Sequence, residues 1–369
     1  MFEPPRCPNF SCPMFRDPKP RFFLRKGFYL PKCRSVPVPR FRCKGCGLGF
    51  SRQTFRVDYR DHKPHLNAPL VRLLASGLGL RQSARILPMA RKSTEMKFRK
   101  MARQLSFLQG NLREQFPVGS EFELDELITF ETCKVTRPLA LPVLIEAKSL
   151  LVVAAEPATL RPFGKTTARR TTKIEKYEER HGRRPDRSRR SILRVLASAG
   201  RWTRHLPKVV LRTDKKDLYR TLAQQVFGEA RIEHLQFSSR LPRSPANPIF
   251  RINLTAAIAR DLNGRLRRRS WLASKQRHFL ELQLGIFMTY RNFVRRRVNQ
   301  DERTPAVALG WLDQGLTTEQ LLGWRQDWRK RSGHPLSNLA LAIGAVQAAR
   351  QSARVDVAAA NSGGGQGAN

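Results

Sequence analysis

The sequence predicts an α/β protein with four parts: a small strand-rich module, a helical module, a mixed-sheet domain and a helical C-terminal region. Three observations predict this order. Two close pairs of cysteines lie within the first fifty residues, and helical periodicity of apolar residues follows over residues 66–115. Short β-prone runs then alternate with helical ones between residues 120 and 300. A chain of 369 residues is long enough for two or three such domains.

The charge of the chain indicates a polyanionic partner. Lysine and arginine total 70 residues against 29 aspartate and glutamate residues, a formal net charge of +41. A field of this size attracts polyanions and opposes compact folding until a partner neutralises it, so DNA or RNA is expected. A membrane surface is the alternative. The sequence has neither a long uncharged apolar run nor a signal peptide, and we therefore expect no membrane partner.

Four cysteines near the N-terminus have the spacing of a zinc site: Cys7, Cys12, Cys43 and Cys46. Zinc takes four soft ligands in a tetrahedron, and two short cysteine loops can supply two each. In a reducing compartment, paired cysteines are more often metal ligands than disulfides. We predict structural zinc in residues 1–60, because a segment with so few aliphatic residues cannot fold by burial alone. The alternatives are unliganded cysteines in a basic loop, or a ligand set that includes Cys33.

Residues 61–118 predict three helices in the order of a helix-turn-helix module. An apolar stripe from Leu70 to Leu78 is broken at Gly77-Leu78-Gly79, a short helix follows, and a third helix runs from about residue 91 to 104. The third helix presents basic residues that suit contacts with DNA phosphates and bases, namely Arg91, Lys92, Lys97, Arg99, Lys100 and Arg103. A helical linker with a solvated charged face is the alternative.

Two aspartates lie on apolar strands in a chain that has few carboxylates. Asp125 lies between Leu124 and Leu127, and Asp214 ends the run Val209–Leu211. Burying an unpaired carboxylate is costly, so such residues usually have a cation or a metal partner. On adjacent strands the two could hold Mg²⁺ or Mn²⁺, and a pair of such ions could promote phosphodiester cleavage and strand transfer. A turn or a salt bridge is the alternative role for each aspartate alone.

With these residues the chain resembles the insertion-sequence transposases that carry an N-terminal zinc ribbon, a helix-turn-helix and a DDE catalytic domain of ribonuclease-H-like fold. The resemblance covers roughly residues 5–330. It is carried by Arg40–Cys46 with Phe50-Ser51 and Thr54-Phe55, by Leu124–Glu126, by Leu211–Asp214, and by Arg265–Ser270 with Ser274-Lys275. It implies that Asp125 is the first metal-binding carboxylate and Asp214 the second. It also implies double-stranded DNA as partner, at the terminal repeats and the target. The expected location is the cytoplasm of a prokaryote, in association with the nucleoid, and the nucleus of a eukaryote is the alternative.

The third acid of such a site does not stand at the position that the resemblance implies. In related transposases a Glu opens the final helix, upstream of an Arg-Leu-x-Arg run. Counting back from Arg265-Leu266 gives Asn253 at that position, and a shifted count gives Phe250. The nearest acid is Asp261, eight residues further along, or about 12 Å of helical rise. Asp261 is thus the candidate third catalytic acid if the helix begins later or crosses the site, whereas Asn253 could donate a neutral oxygen ligand.

A helical tract predicted from about residue 253 to 297 combines basic and apolar residues. Its basic residues are predicted to follow the DNA backbone, with a solvated face as the alternative; they include Arg265, Arg268, Arg269 and Lys275. Leu266, Trp271 and Phe279 are predicted as apolar anchors.

The predicted domains are a zinc ribbon (1–60), a helix-turn-helix (61–118), a ribonuclease-H-like domain (119–300) with a basic insert (161–205), a helical C-terminal region (301–352) and a disordered tail (353–369). The predicted function is a DNA transposase that cleaves and transfers strands with Mg²⁺. The missing Glu favours the alternative of a catalytically inactive, transposase-derived DNA-binding protein or repressor. An RNA-binding protein of the translation machinery would explain the ribbon and the charge but not the acidic strand residues. The sequence leaves open whether the insert is a DNA clamp or a dimer contact of a homo-oligomer.

Overall fold

The computed structural model describes residues 2–164, 167–242, 244–267 and 271–323. The predicted DNA contacts Arg268 and Arg269 and the predicted tail lie outside these ranges, and the predicted C-terminal region is described only as far as Gly323. The chain divides into two compact units, one of residues up to Ala68 together with those from Thr317, the other Pro69–Leu316. The predicted boundary at residue 61 lies near this division, whereas the one at residue 118 lies inside the second unit.

From residue 121 the described residues form four consecutive strands, two helices, a strand-helix-strand unit and then a series of helices. The strands are β1 (Phe23–Tyr29), β2 (Val38–Cys43), β3 (Gly49–Ser51), β4 (Glu121–Phe130), β5 (Pro138–Glu146), β6 (Leu151–Ala155), β7 (Ala158–Thr159), β8 (Val209–Asp214) and β9 (Ile232–Phe237). The helices are α1 (Pro13–Arg16), α2 (Asn67–Ala75), α3 (Leu80–Ile86), α4 (Arg91–Asn111), α5 (Ala168–His181), α6 (Ser188–Gly200), α7 (Asp217–Phe227), α8 (Phe250–Leu262), α9 (Arg277–Phe293), α10 (Pro305–Ala308) and α11 (Thr318–Gly323).

The first unit contains a three-stranded antiparallel sheet in the order β1-β2-β3. Its core is formed by phenylalanine rings and cysteines rather than by aliphatic side chains; the buried members are Phe22, Phe41, Phe50, Cys7, Cys12 and Cys43. Several rings meet edge to face, among them those of Phe23 and Phe41. A core this small supplies little burial free energy.

The second unit is built on a mixed sheet in the order β6-β5-β4-β8-β9, with β7 paired to β5. Strands β4, β5 and β6 form an antiparallel meander, whereas β8 and β9 run parallel to β4. The prediction of a mixed α/β fold is therefore confirmed.

Helices cover both faces of this sheet. All nine residues of β5 are buried, as expected for a continuous apolar run between two layers. Helices α8 and α9 pack on one face, where Leu127, Leu141 and Ile252 belong to the same apolar cluster. On the other face, α6 packs against β5 and β6, and α7 against β9.

The predicted basic insert 161–205 contains two helices of different character. Helix α5 has no buried residue, whereas α6 buries Ile192, Val195, Leu196 and Ala199. These four have the i, i+3, i+4, i+7 spacing of a core-facing helix, which the surrounding arginines obscure in the sequence. The second half of the segment is thus part of the domain core.

Helix α4 packs against α9 at close range. A Cβ atom on Gly285 of α9 would lie 3.2 Å from the carbonyl oxygen of Ala102 and would displace the hydroxyl of Ser106, so any larger residue there would push the two helices apart or move Ser106. Helix α4, which the sequence assigns to a separate helix-turn-helix module, therefore packs against a helix of the sheet domain.

The glycine-containing turn between α2 and α3 also packs closely against residues that follow α8. Gly77 has φ +86, and a Cβ atom on Gly264, after α8, would lie 2.5 Å from the carbonyl oxygen of Gly77. A Cβ atom on Gly79 would lie 2.5 Å from Leu272 Cδ2. The sequence predicts the turn but not its packing against the segment that follows α8.

The predicted helical tract 253–297 is two helices. Helix α8 ends at Leu262, and α9 begins at Arg277. Between them Asn263 Oδ1 accepts a hydrogen bond from the backbone N–H of Arg265 and fixes a short 3₁₀ turn. The prediction of Trp271 as an apolar anchor is wrong, because no helix carries it inward and its side chain is 98% exposed.

Candidate functional site

Parallel pairing of β4 and β8 brings the two predicted aspartates together. The last paired residues are Glu123 and Arg212, and Asp125 and Asp214 each lie two residues further along their strands. Because side chains alternate between the faces of a strand, Asp125 and Asp214 lie on the same face. Asp214 ends β8, and Asp125 lies just beyond the last residue of β4 that pairs with β8. In α/β folds, ligand sites commonly lie where parallel strands end.

A cavity of about 400 Å³ lies over these two aspartates. The sheet contributes Asp125, Glu126 and Asp214 to its lining, and α8 contributes Asn253 and Arg260. Asn253 and Arg260 are seven residues apart, two helical turns, and so face the same side of α8.

Burial and mutual repulsion disfavour the charged state of the two aspartates. Burial raises the pKa of Asp125, and the charge of Asp214 adds to that rise, while the backbone N–H of Glu126, 2.7 Å from Asp125 Oδ1, and Arg260 lower it. Burial likewise raises the pKa of Asp214, and Lys216 opposes the rise. Asp214 Oδ1 is buried and has no hydrogen-bond partner among the described residues. Such an oxygen is suited to a cation.

Asn253 stands at the cavity with its carbonyl oxygen available. Its Nδ2 donates to the backbone oxygen of Ile249 at 2.9 Å, which fixes the orientation of the amide. Its Oδ1 is therefore the atom that can serve as a neutral ligand.

Asp261, the candidate third acid, is placed elsewhere. It lies in the last turn of α8 with an exposed side chain and does not line the cavity. Among the described residues, the four N-terminal cysteines form the one close group of three or more metal-ligating side chains. The acids that line the cavity are therefore Asp125, Asp214 and Glu126, and Asp261 is not among them.

Glu126 has partners on the opposite face of β4. Its Oε2 forms an ion pair with Lys216 and accepts a hydrogen bond from the Tyr219 hydroxyl at 3.0 Å. These contacts hold the middle of β4 against the start of α7.

Glu123 is a residue of this site that the sequence reasoning missed. It lies one pleat before Asp125 on the same face and is 0% exposed. Its Oε2 accepts the backbone N–H of Ile252 at 2.7 Å, in the first turn of α8, and its Oε1 lies 3.9 Å from Arg251 Nη1. Burial raises the pKa of Glu123 to about 7. The repeated acids Glu121, Glu123 and Asp125 on one strand face were the signal in the sequence.

We expect Glu123→Ala to loosen α8 from the sheet, whereas Glu123→Gln is tolerated. Alanine leaves the buried N–H of Ile252 without an acceptor, at a cost of about 2 kcal/mol, while glutamine keeps an oxygen there. The measurement is urea unfolding of the two variants and the parent at neutral pH. Equal losses of stability in both variants would show that the carboxylate charge, not the acceptor, matters.

The four predicted zinc ligands meet at one point in the first unit. Their Sγ atoms all lie within 4.8 Å of one another, with Cys7 and Cys46 3.6 Å apart and Cys12 and Cys43 3.8 Å apart. A tetrahedron with Zn–S bonds of about 2.3 Å has sulfur atoms about 3.8 Å apart. The cluster could therefore hold a metal ion such as zinc.

The thiols of this cluster differ in acidity. Burial raises the pKa of Cys7 and of Cys12, whereas the backbone N–H of Leu48 lowers the pKa of Cys46 to about 7. Metal binding would displace the remaining thiol protons, so affinity would rise with pH.

The predicted DNA-binding residues divide into exposed and half-buried ones. The exposed ones are Arg91, Lys92, Lys100 and Arg103 of α4, and Lys275. Arg99 instead forms an ion pair with Glu95 at 2.8 Å and lies over the ring of Phe279, 4.5 Å from its centroid. Lys97 and Arg265 are half-buried. The solvent-facing side of α4 is thus basic, while Arg99 packs within the unit.

No helix in the described residues combines the length and apolar character needed to cross a bilayer. The sequence matches no protein-family model and no curated protein. The transposase resemblance therefore rests on the residues themselves.

Proposed function

We propose that the protein is a DNA transposase of the insertion-sequence type, which cleaves and transfers DNA strands with a divalent metal ion. The observation that carries the proposal is the position of Asp125 and Asp214 on neighbouring parallel strands, on one face and in one cavity. Asn253 and Arg260 of α8 complete that cavity.

The sheet order supports a ribonuclease-H-like fold for the second unit. In β6-β5-β4-β8-β9 only β5 runs against the other four strands. The first and fourth main strands of this unit, β4 and β8, carry the two aspartates, as the resemblance implies.

The cavity residues fit Mg²⁺ or Mn²⁺. Asp125 and Asp214 would hold the ion, and Asn253 Oδ1 would add a neutral oxygen; the unpartnered Asp214 Oδ1 supports this assignment. When bound, the ion supplies charge stabilisation for attack on a phosphodiester. A ligand set with two negative charges rather than three would bind it more weakly.

Arg260 has a distinct task in this proposal. Its guanidinium lies on the same cavity wall as Asn253 and lowers the pKa of Asp125, so it is near the carboxylates. It would contact non-bridging phosphate oxygens and hold the strand for in-line attack.

DNA binding would use the basic surfaces and the cysteine cluster. We propose zinc as the ion of the cluster, with a structural role. Exposed lysines and arginines of α4 would contact phosphates of double-stranded DNA, and the net charge of +41 supports strong, salt-dependent association.

A catalytically inactive DNA-binding protein or repressor is the second candidate. The observation that favours it is Asn253 at the position where the resemblance implies a third metal-binding carboxylate.

Nicking of supercoiled plasmid DNA distinguishes the two candidates. A transposase produces nicked or linear DNA in Mg²⁺ or Mn²⁺ and leaves the plasmid intact in EDTA, while binding persists in both. Binding without metal-dependent cleavage, at any tested metal concentration, would favour the inactive protein. Equal binding of double-stranded RNA and DNA would instead favour the RNA-binding alternative.

A further inference from the structure

A second cavity, of about 610 Å³, lies in the second unit beside the predicted DNA-binding helices. It is lined by residues of α2, α3, the start of α4 and α9, and by residues within 263–265 and 271–276. Among the described residues it shares no lining residue with the Asp125–Asp214 cavity. Its volume is in the range of small-ligand sites, about 300–1,000 Å³.

The rim of this cavity is cationic. Its exposed cations are Arg81, Arg85, Arg91 and Lys275. Arg265 stands between Ser274, to whose Oγ its Nη1 donates at 3.3 Å, and the ring of Phe279. The one carboxylate among the described lining residues, Glu95, is paired with Arg99. The cavity therefore favours an anion.

One wall of the cavity carries a buried hydrogen-bond donor without an acceptor. Asn263 is 0% exposed, and its Oδ1 accepts the backbone N–H of Arg265 at 3.1 Å. Its Nδ2 has no hydrogen-bond partner among the described residues. An unpaired buried donor is costly, so a ligand that brings an acceptor to this wall is favoured.

Trp271 lines the same cavity and is 98% exposed. An indole held in water beside a group of cations offers a stacking surface at no cost in lost packing. Stacking on aromatic side chains is a general way of holding unpaired bases.

We infer that this cavity binds an unpaired nucleobase of a DNA strand. The base stacks on Trp271, a ring nitrogen or carbonyl oxygen of the base accepts from Asn263 Nδ2, and the rim cations contact the flanking phosphates. A paired base cannot present its face in this way, because its neighbours in the duplex cover it. The inference rests on the proposed function, since it takes DNA as the partner.

The test compares a short duplex that contains one unpaired 2-aminopurine with the same duplex in which that base is paired. We expect the full-length protein to bind the unpaired form about tenfold more tightly and to quench its fluorescence by stacking. Trp271→Ala should lose this preference and leave affinity for the paired duplex unchanged, and Trp271→Phe should retain part of it. Phe163→Ala, which removes another exposed aromatic ring, is the control and should behave as the parent.

Two further ligands identify what the cavity recognises. An abasic nucleotide in the unpaired position keeps the phosphates but lacks the base, and should bind no better than the paired duplex. A free deoxynucleotide shares the chemistry of the base and phosphate, and should not compete at concentrations that saturate the strand. Effective competition would assign the cavity to free nucleotides and overturn the inference.

The failure of this inference is distinguishable from that of the proposed function. Equal affinity for paired and unpaired duplexes, or an equal loss for both in Trp271→Ala, would overturn the cavity assignment while DNA binding stands. Absence of binding to either duplex at physiological salt would overturn both.

Discussion

Replacement of Cys43 by serine is expected to abolish metal binding and unfold the first unit. The four Sγ atoms lie within 4.8 Å of one another, and the core around them consists of phenylalanine rings and the cysteines themselves. Structural zinc contributes about 10–16 kcal/mol to the folding of small domains, far more than this core can replace. The free energy lost should therefore exceed what a unit of this size can tolerate.

The measurements are zinc content of the purified protein and limited proteolysis. The parent should contain one zinc per chain, and Cys43→Ser should contain close to none and be cleaved rapidly within residues 1–68. Cys33→Ser is the matched control, since Cys33 is exposed and lies outside the cluster. A chelator should reproduce the effect of Cys43→Ser in the parent. Normal zinc content in Cys43→Ser together with loss in Cys33→Ser would assign the site to the alternative ligand set.

The strands of the sheet were predictable because their apolar runs are short and bounded by prolines or charges. The segment Leu139 to Glu146 predicts β5, and Val209 to Asp214 matches β8. A fully buried strand needs only local information, namely a continuous apolar stretch of the right length. Parallel pairing of β4 with β8 joins segments remote in the chain. The ground for expecting it was the resemblance, which assigns Asp125 and Asp214 to the first and fourth strands.

The support of the site was not predictable for a related reason. The alternation of acids indicates the strand face on which Glu123 lies, but not its partner, the backbone N–H of Ile252, which is 129 positions away in the chain. Likewise, Gly264 is required by the nearby carbonyl of Gly77, not by a turn of its own. Trp271 was misassigned because helical spacing was extended across residues 263–276, where Asn263 fixes a turn. Close contacts between remote segments are set by the assembled fold.

The largest effect on activity is expected from Asp125→Asn and Asp214→Asn. Each removes the carboxylate of one of the two aspartates at the cavity, and so a charge that would hold a divalent cation. Loss of several kcal/mol of transition-state stabilisation corresponds to about a thousandfold or more in rate. Metal-dependent nicking of supercoiled DNA should fall by at least that factor in both variants, while affinity for duplex DNA in EDTA stays unchanged.

Asp261→Asn is the matched control, because Asp261 is exposed and does not line the cavity. It should nick DNA as the parent does, and a loss equal to that of Asp214→Asn would instead make Asp261 the third acid. Asn253→Asp adds a carboxylate at the cavity and should lower the metal concentration needed for half-maximal nicking. The opposite shift would show that Asn253 is not a ligand.

Measurements of stability show whether an inactive aspartate variant has lost its metal site or its fold. Without metal, burial and the charge of Asp214 both raise the pKa of Asp125, so the two charged carboxylates oppose folding. Asp214→Asn relieves that repulsion, and in EDTA it should be at least as stable as the parent. Mn²⁺ should raise the melting temperature of the parent but not that of Asp214→Asn. An Asp214→Asn protein that is destabilised in EDTA would attribute its inactivity to unfolding, and Mn²⁺ stabilisation equal to the parent's would remove Asp214 from the metal site.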